Sequence, residues 1–236
     1  MAIDYFIQLT MNAKSIESYS THRLFNLEFT IARDLLEQYE YPWEVLSLIG
    51  QYIISIGKDL SLKEYDLKSD NIWISKTATI APNATIVGPA IIGHGAEIRH
   101  CAYIRGNAIV GENAVVGNST ELKNVILFNR VQVPHYNYVG DSILGYKSHM
   151  GAGAITSNVK SDKALIVLKI GENRIETGIK KFGVIMGDCV EIGCNSVLNP
   201  GTVIGKNTNI YPLSMVRGFV PANSIYKNSG EIVTKI

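Results

Sequence analysis

Residues 72–122 read IWISKTATIAPNATIVGPAIIGHGAEIRHCAYIRGNAIVGENAVVGNSTEL, and from Ile74 every sixth position is a branched aliphatic: Ile80, Ile86, Ile92, Ile98, Ile104, Val110, Val116 and Leu122. Two positions before these stand small residues, Ala78, Ala84, Ala90, Ala96, Ala102, Ala108, Ala114 and Thr120. With 46% apolar residues in the chain, nine hits in one fixed register arise by chance roughly once in a thousand trials. Period six is neither helix nor strand; it is the period of a hexapeptide repeat. A repeat this short cannot bury its own aliphatic side chain, so successive turns must stack around a shared axis. Three flat sides of six residues make one turn. The large aliphatic fills the axis, and the small residue faces a corner where a bulky side chain would overpack. Glycine follows the aliphatic at Gly93, Gly111, Gly117, Gly145, Gly151, Gly187, Gly193 and Gly205, which suggests backbone freedom where the chain turns.

The period slips by one residue before Leu127, Val133 and Val139, slips again before Leu144 and Met150, and is lost between Ser157 and Gly183. It returns at Met186, Ile192, Leu198, Ile204, Ile210 and Val216. Residues 157–183 therefore read as a loop ejected at a corner, with a hairpin expected around Gly171-Glu172-Asn173.

Residues 1–70 lack the repeat. Asn26 is placed to cap a helix running to about Glu40, with Leu27, Ile31, Leu35 and Leu36 on one side. Pro42 starts a second helical stretch whose stripe of Trp43, Leu46, Ile49, Ile53 and Ile56 ends near Gly57. This suggests a small helical cap over the open first coil, preceded by a weakly patterned tail. Residues 71–236 form the solenoid.

The net charge of +1 gives no global pull toward nucleic acid or membrane. Apolar runs such as Val45–Ile56 are interrupted by polar residues, and no leader pattern opens the chain, so the reading favours a cytoplasmic protein. Cys101, Cys189 and Cys194 form no even set and no metal-like spacing, so neither disulfides nor a metal site is expected. His94 and His100 fall on adjacent walls, a poor geometry for a shared metal, and His22 lies outside the repeat.

The repeats resemble those of the hexapeptide acyltransferase family over about Ile72 to Val220. The resemblance implies a mostly β fold, a left-handed parallel β-helix with a small N-terminal helical region. The left hand comes from the resemblance alone, since general topology favours right-handed crossovers. The segments Glu121-Leu122-Lys123-Asn124, Val133-Pro134-His135-Tyr136-Asn137-Tyr138-Val139-Gly140-Asp141 and Gly151-Ala152-Gly153 are similar to the acetyltransferase domain of the bifunctional glucosamine-1-phosphate acetyltransferase and UDP-N-acetylglucosamine pyrophosphorylase family and its stand-alone relatives.

That resemblance implies an acetyl-CoA-dependent N-acyltransferase acting on a phosphorylated or nucleotide-linked amino sugar, working as a homotrimer with sites between neighbouring β-helices. His135 matches the general base; an imidazole, with an unperturbed pKa of about 6.5, can accept the proton that the attacking amine must lose. Arg105 and Lys123 match the phosphate ligands, and their spacing of eighteen residues is one full coil, which lets both project from one wall. Tyr138 and Asn158 match sugar contacts. His149 stands where the family has an asparagine, which leaves the sugar open. Ala152, in the matching triplet, falls on the cofactor side; Cys194 and Pro212 occupy cofactor-side positions without identity. The family's uridylyltransferase domain opens on a Gly-rich nucleotide loop, and residues 1–70 contain neither that nor a P-loop. The second reading is a non-catalytic sugar-nucleotide binder or scaffold. A third, uridylyl transfer, has no triphosphate site in the sequence.

Overall fold

Each six-residue repeat forms one short strand, and three strands close one turn of a parallel β-helix in the computed structural model, which describes residues 16–69, 71–170 and 173–235. The fold is mostly β, the stacked parallel solenoid expected from the six-residue period. Most of the weakly patterned tail lies outside the described residues. Wall I stacks strands from Thr79–Ile80 to Ser224–Tyr226 and forms the 9-stranded sheet. Wall II runs from Thr85–Val87 to Met215–Val216, and wall III from Ile72–Ser75 to Phe219–Val220. Walls II and III share the 14-stranded sheet because Glu121–Leu127 and Tyr138–Leu144 continue around the corner between them. Antiparallel strands close two exposed edges: Tyr65–Leu67 pairs with Ile72–Ser75 on wall III, and Ile232–Thr234 pairs with Ser224–Tyr226 on wall I.

The aliphatic register fills the axis. Ile92, Ile98, Ile104, Val110, Val116 and Leu122 are buried, as are Met186, Ile192, Leu198, Ile204, Ile210 and Val216. Each contributes about 1.5–3 kcal/mol by leaving water. Ile74, Ile80 and Ile86, in the first coil, are half-buried.

The glycines after the aliphatics do not make the turns. The left-handed conformation falls two residues later, at Asn107, Asn113, Ser119, Asn124, Arg130, Tyr136, Asp141 and Lys147, all with φ between 48° and 62°. Their spacing of six shortens to five at Asn124 and at Asp141, the two slips of the repeat. The glycines admit the next coil instead: a Cβ on Gly117 would lie 1.6 Å from the carbonyl oxygen of Pro134.

Both slips, and the insertion, occur at the corner between walls II and III. Partners on wall II are 18 residues apart at Tyr103 and Glu121, 17 at Glu121 and Tyr138 and at Tyr138 and Ile155, then 42 at Ile155 and Val197. The insertion carries the expected hairpin, Val167–Ile170 against Asn173–Glu176. Its buried Ile166 and Leu168 fold back onto Gly201, where a Cβ would meet both side chains.

The helical part of the described N-terminal segment lies along wall III and not over the open first coil, whose wall III edge is covered by the strand Tyr65–Leu67. The helix Ile49–Gly57 packs on strands Ala90–Ile92, Ala108–Val110 and Glu121–Leu127, and the turn Pro42–Val45 on Tyr138–Leu144. The physical reason is a second apolar register, one residue before the first: Trp73, Ile91, Ile109, Ile126, Ile143, Ile185 and Val203 point outward in one column and are all buried. Ring contacts of Phe25 with Phe128 and Trp43 with Phe182 extend this seam. The carboxylate of buried Asp188 accepts from the backbone N–H groups of Asn26 at 2.8 Å and Tyr146 at 2.9 Å, and lies 3.0 Å from Lys206 Nζ.

The expected helix from Asn26 to about Glu40 is broken. Asn26 does cap, accepting from the Glu28 N–H, but only a 3-10 turn Leu27–Phe29 follows. Thr30 is extended and its hydroxyl accepts from the Ala32 N–H at 3.1 Å, a local bond that competes with helix. A single turn, Arg33–Leu36, resumes, and Ile31 is exposed rather than packed. No helix among the described residues is long and apolar enough to cross a membrane.

Candidate functional site

His135 ends the strand Gln132–His135 at the corner between walls I and II, and the chain turns through Tyr136 in the left-handed conformation, φ 52°. Tyrosine is a costly residue there. Buried Asn137 holds the turn: its Oδ1 accepts from the His135 N–H at 3.1 Å, and its Nδ2 donates to the carbonyls of Gly151 at 2.9 Å and Ala154 at 3.0 Å. The imidazole is left exposed.

Below His135 the same corner repeats through Ala152, Cys194 and Pro212. The N–H of Gly153 donates to the His135 carbonyl, that of Asn195 to Ala152, and that of Leu213 to Cys194, at 2.9–3.0 Å. Three coil steps of about 4.8 Å make this ladder roughly 14 Å long. Cys194 and Pro212 are exposed and Ala152 is half-exposed, so the ladder forms an open strip.

Arg105 and Lys123 stack on successive coils, at the opposite edge of wall II from His135. Neither cation stands alone. Arg105 pairs with Glu121 at 3.0 Å, with side chains 50% and 33% exposed, and Lys123 lies 3.6 Å from Asp141, whose side chain is 7% exposed. The Glu121 carboxylate raises the Arg105 guanidinium above its ordinary range, first by hydrogen bonding and then by charge. The Arg105 pair is solvated and adds little stability.

Asp141 joins the cluster together. It accepts from Asn124 Nδ2 at 3.0 Å and from Asn158 Nδ2 at 2.5 Å. Asn124 Nδ2 also donates to the carbonyl of Leu46 at 2.9 Å, which ties the N-terminal segment into the site. Asn158 Nδ2 lies 3.4 Å from the Tyr138 hydroxyl. The Tyr138 ring therefore runs along wall II from the His135 corner to the Asp141 corner, over Gly140, where a Cβ would come within 2.6 Å of the hydroxyl. Burial, then the charges of Glu121 and Asp141, push the Tyr138 phenol above its usual value.

His149 sits apart. Its partners across wall I are Gln132 and Glu191, so it lies three residues, about 10 Å, along the wall from the His135 ladder. Its Nδ1 is 2.9 Å from Glu191 Oε2. Within one chain the structure thus brings Lys123, Tyr138 and Asn158 together, with Arg105 one coil away, and separately aligns His135 with Ala152, Cys194 and Pro212. The sequence reading had not singled out Glu121, Asn124, Asn137 and Asp141. All four stand inside the motif segments, and the left-handed corner at Asn124 and Asp141 is signalled by the five-residue spacing.

Two cavities lie against the N-terminal segment, and neither is lined by His135. No cluster of three or more potential metal ligands occurs among the described residues.

A family profile described as the GMPPB C-terminal domain matches residues 86–172. A "Bifunctional protein GlmU" of Methanococcus maripaludis is 37% identical over 198 residues, 83% of this chain and 48% of that protein. A "Bifunctional sugar-1-phosphate nucleotidylyltransferase/acetyltransferase" of Sulfurisphaera tokodaii is 31% identical over 109 residues, 46% of this chain and 27% of its own length. The chain spans about half the length of the first of these relatives and less of the second. Among solved structures, the Francisella novicida UDP-N-acetylglucosamine acyltransferase is 14% identical and aligns over 71% of this chain and 67% of its own, with a TM-score of 0.45.

Proposed function

We propose that this chain, which belongs to the hexapeptide-repeat acetyltransferase family, transfers an acetyl group from acetyl-CoA to the amine of a phosphorylated or nucleotide-linked amino sugar. The amine attacks the thioester carbon, His135 takes the proton the amine loses, and the carbon–sulfur bond breaks to release the CoA thiolate, which then takes up a proton. The observation that carries this reading is the ladder: His135, Ala152, Cys194 and Pro212 repeat at one corner on successive coils. An extended thioester arm laid along that strip would end beside the imidazole. Tyr138, reaching from this corner to Asn158 and Asp141, gives the sugar a polar floor.

The open strip needs a second wall, and wall II supplies a reason for one. Its outward column, Thr85, Tyr103, Glu121, Tyr138, Ile155, Val197 and Met215, is apolar or aromatic apart from Thr85 and Glu121, and Leu213 and Met215 are 71% and 67% exposed. Three copies packed through wall II would bury this column and enclose His135 beside a neighbour's coils. A homotrimer is therefore part of the proposal.

Purified protein mixed with acetyl-CoA and glucosamine 1-phosphate should release free thiol. Absence of release with any phosphorylated or nucleotide-linked amino sugar would favour the second reading, a sugar-nucleotide binder without turnover. Under either reading an incoming phosphate must displace or share the carboxylates that pair Arg105 with Glu121 and Lys123 with Asp141.

A further inference from the structure

We infer that Asn137 is a positioning residue for the proposed transfer: its buried amide sets the His135 imidazole against the turn that opens the cofactor strip on the next coil. Asn137 acts through His135, so this role stands on the transferase reading above. The residue occupies the small-residue register, two positions before Val139. On the coils stacked at this corner the same register holds Ala102, Thr120, Ala154, Ser196 and Ser214, all buried. An asparagine is bulkier than alanine or serine, and an amide at 2% exposure is costly unless each of its groups finds a partner. Here each does. Oδ1 accepts from the His135 N–H, and the two Nδ2 hydrogens go to the carbonyls of Gly151 and Ala154. The opposite amide orientation would set Oδ1 against two carbonyl oxygens, so these bonds fix which way the side chain faces.

The hydroxyls of this register do less. Thr120 Oγ1 donates to the carbonyl of Val133 at 3.0 Å, and the hydroxyls of Ser196 and Ser214 both donate to the carbonyl of Tyr211, at 3.2 and 2.6 Å. Asn137 instead joins the backbone of the residue that carries the base to both ends of the Gly151–Ala154 turn, whose Ala152 stands next below His135 in the ladder. Its own N–H donates to Thr120 Oγ1 at 3.3 Å, which ties the amide to the coil above as well. The turn so braced is the strained one. Tyr136 has φ 52° and is 65% exposed, so its ring adds little packing to hold a conformation that bulky residues avoid. Moving the amide therefore moves base and cofactor turn relative to one another. A general base works within about 2.6–3.2 Å of the proton it takes, and a misplacement of about 1 Å lowers the rate by up to roughly 10²-fold.

Steady-state thiol release from acetyl-CoA with glucosamine 1-phosphate, or with whichever amino sugar the parent accepts, tests this beside a melting curve of the full chain. Asn137→Ala installs the residue that Ala102 and Ala154 carry in the same register. It should keep the fold and lower kcat by about 10²-fold, with KM for the sugar changed less than about threefold. Asn137→Thr, which matches Thr120, should bring the melting temperature back toward the parent without restoring kcat. In a His135→Ala background, Asn137→Ala should add no further loss, because the residue works through the imidazole. An undiminished kcat, a kcat that follows the melting temperature through both single variants, or losses that multiply in the double variant would make the amide a structural bond only and overturn the inference. A parent that acetylates no phosphorylated or nucleotide-linked amino sugar would instead remove the transferase reading, and the positioning role with it.

Discussion

Walls II and III carry apolar columns on their outer faces and meet different fates. On wall III the column Trp73, Ile91, Ile109, Ile126, Ile143, Ile185 and Val203 is buried under the chain's own N-terminal segment. On wall II, Tyr103, Ile155 and Met215 remain exposed. Wall I differs from both: apart from Val115 and Ile225 its outward column is polar, with Thr79, Glu97, Gln132, His149, Glu191 and Asn209. One prism thus presents an intramolecular interface, an uncovered apolar face and a solvent face. The candidate imidazole stands on the border between the second and the third.

The sharpest way to break this contrast is to place the same charge on both apolar faces. Ile109→Lys should leave no cooperative native melt, because a buried unpaired ammonium costs more than about 4 kcal/mol. Met215→Lys should melt within a few degrees of the parent. If the two variants behaved alike, the distinction between the walls would fail.

At the border, His135→Ala should lower turnover by about 10²–10⁴-fold with the fold unchanged; a steady-state thiol-release assay beside a melting curve reads both, and undiminished turnover would remove the residue from the mechanism. The double change Leu213→Glu/Met215→Lys should reduce the mass seen by light scattering from three chains to one and lower turnover with it. A trimer that persisted would place the interface on another face.

Arg105→Ala should raise KM several-fold with a smaller effect on kcat, as expected for a lost ground-state contact. Unchanged kinetics would return that guanidinium to its exposed pair with Glu121. The smallest effect is expected where wall III's cover meets the site: Asn124→Ala loses the bonds to Leu46 and Asp141 and should cost about 1–2 kcal/mol by denaturant unfolding.

The period of six disclosed the axis because one aliphatic position repeats without interruption from Ile74 to Leu122. The outer column of wall III was as regular but went unread, since its members recur every third repeat and hide beside the stronger signal as the pairs Ile91-Ile92, Ile109-Val110, Ile126-Leu127 and Ile143-Leu144. Without that column, the open end of the first coil is the one evident partner for the apolar stripe from Trp43 to Ile56. The corner spacing predicted that Arg105 and Lys123 share a wall, whereas their carboxylate partners depend on side-chain reach around Leu122 and Gly140, which no spacing rule encodes. The break at Thr30 was lost for a similar reason: a hydroxyl–backbone bond outweighed a helical pattern.

The segment along wall III also changes how the molecule can come apart. Stacked coils touch only their nearest neighbours, so a bare solenoid can fray from either end, one rung at a time. Here a splint is fastened at Asn124 through Leu46, at Asp188 through Asn26, and at Phe182 through Trp43. Losing a rung beneath it means lifting the splint, and that couples distant rungs into one unfolding event instead of a succession of small ones.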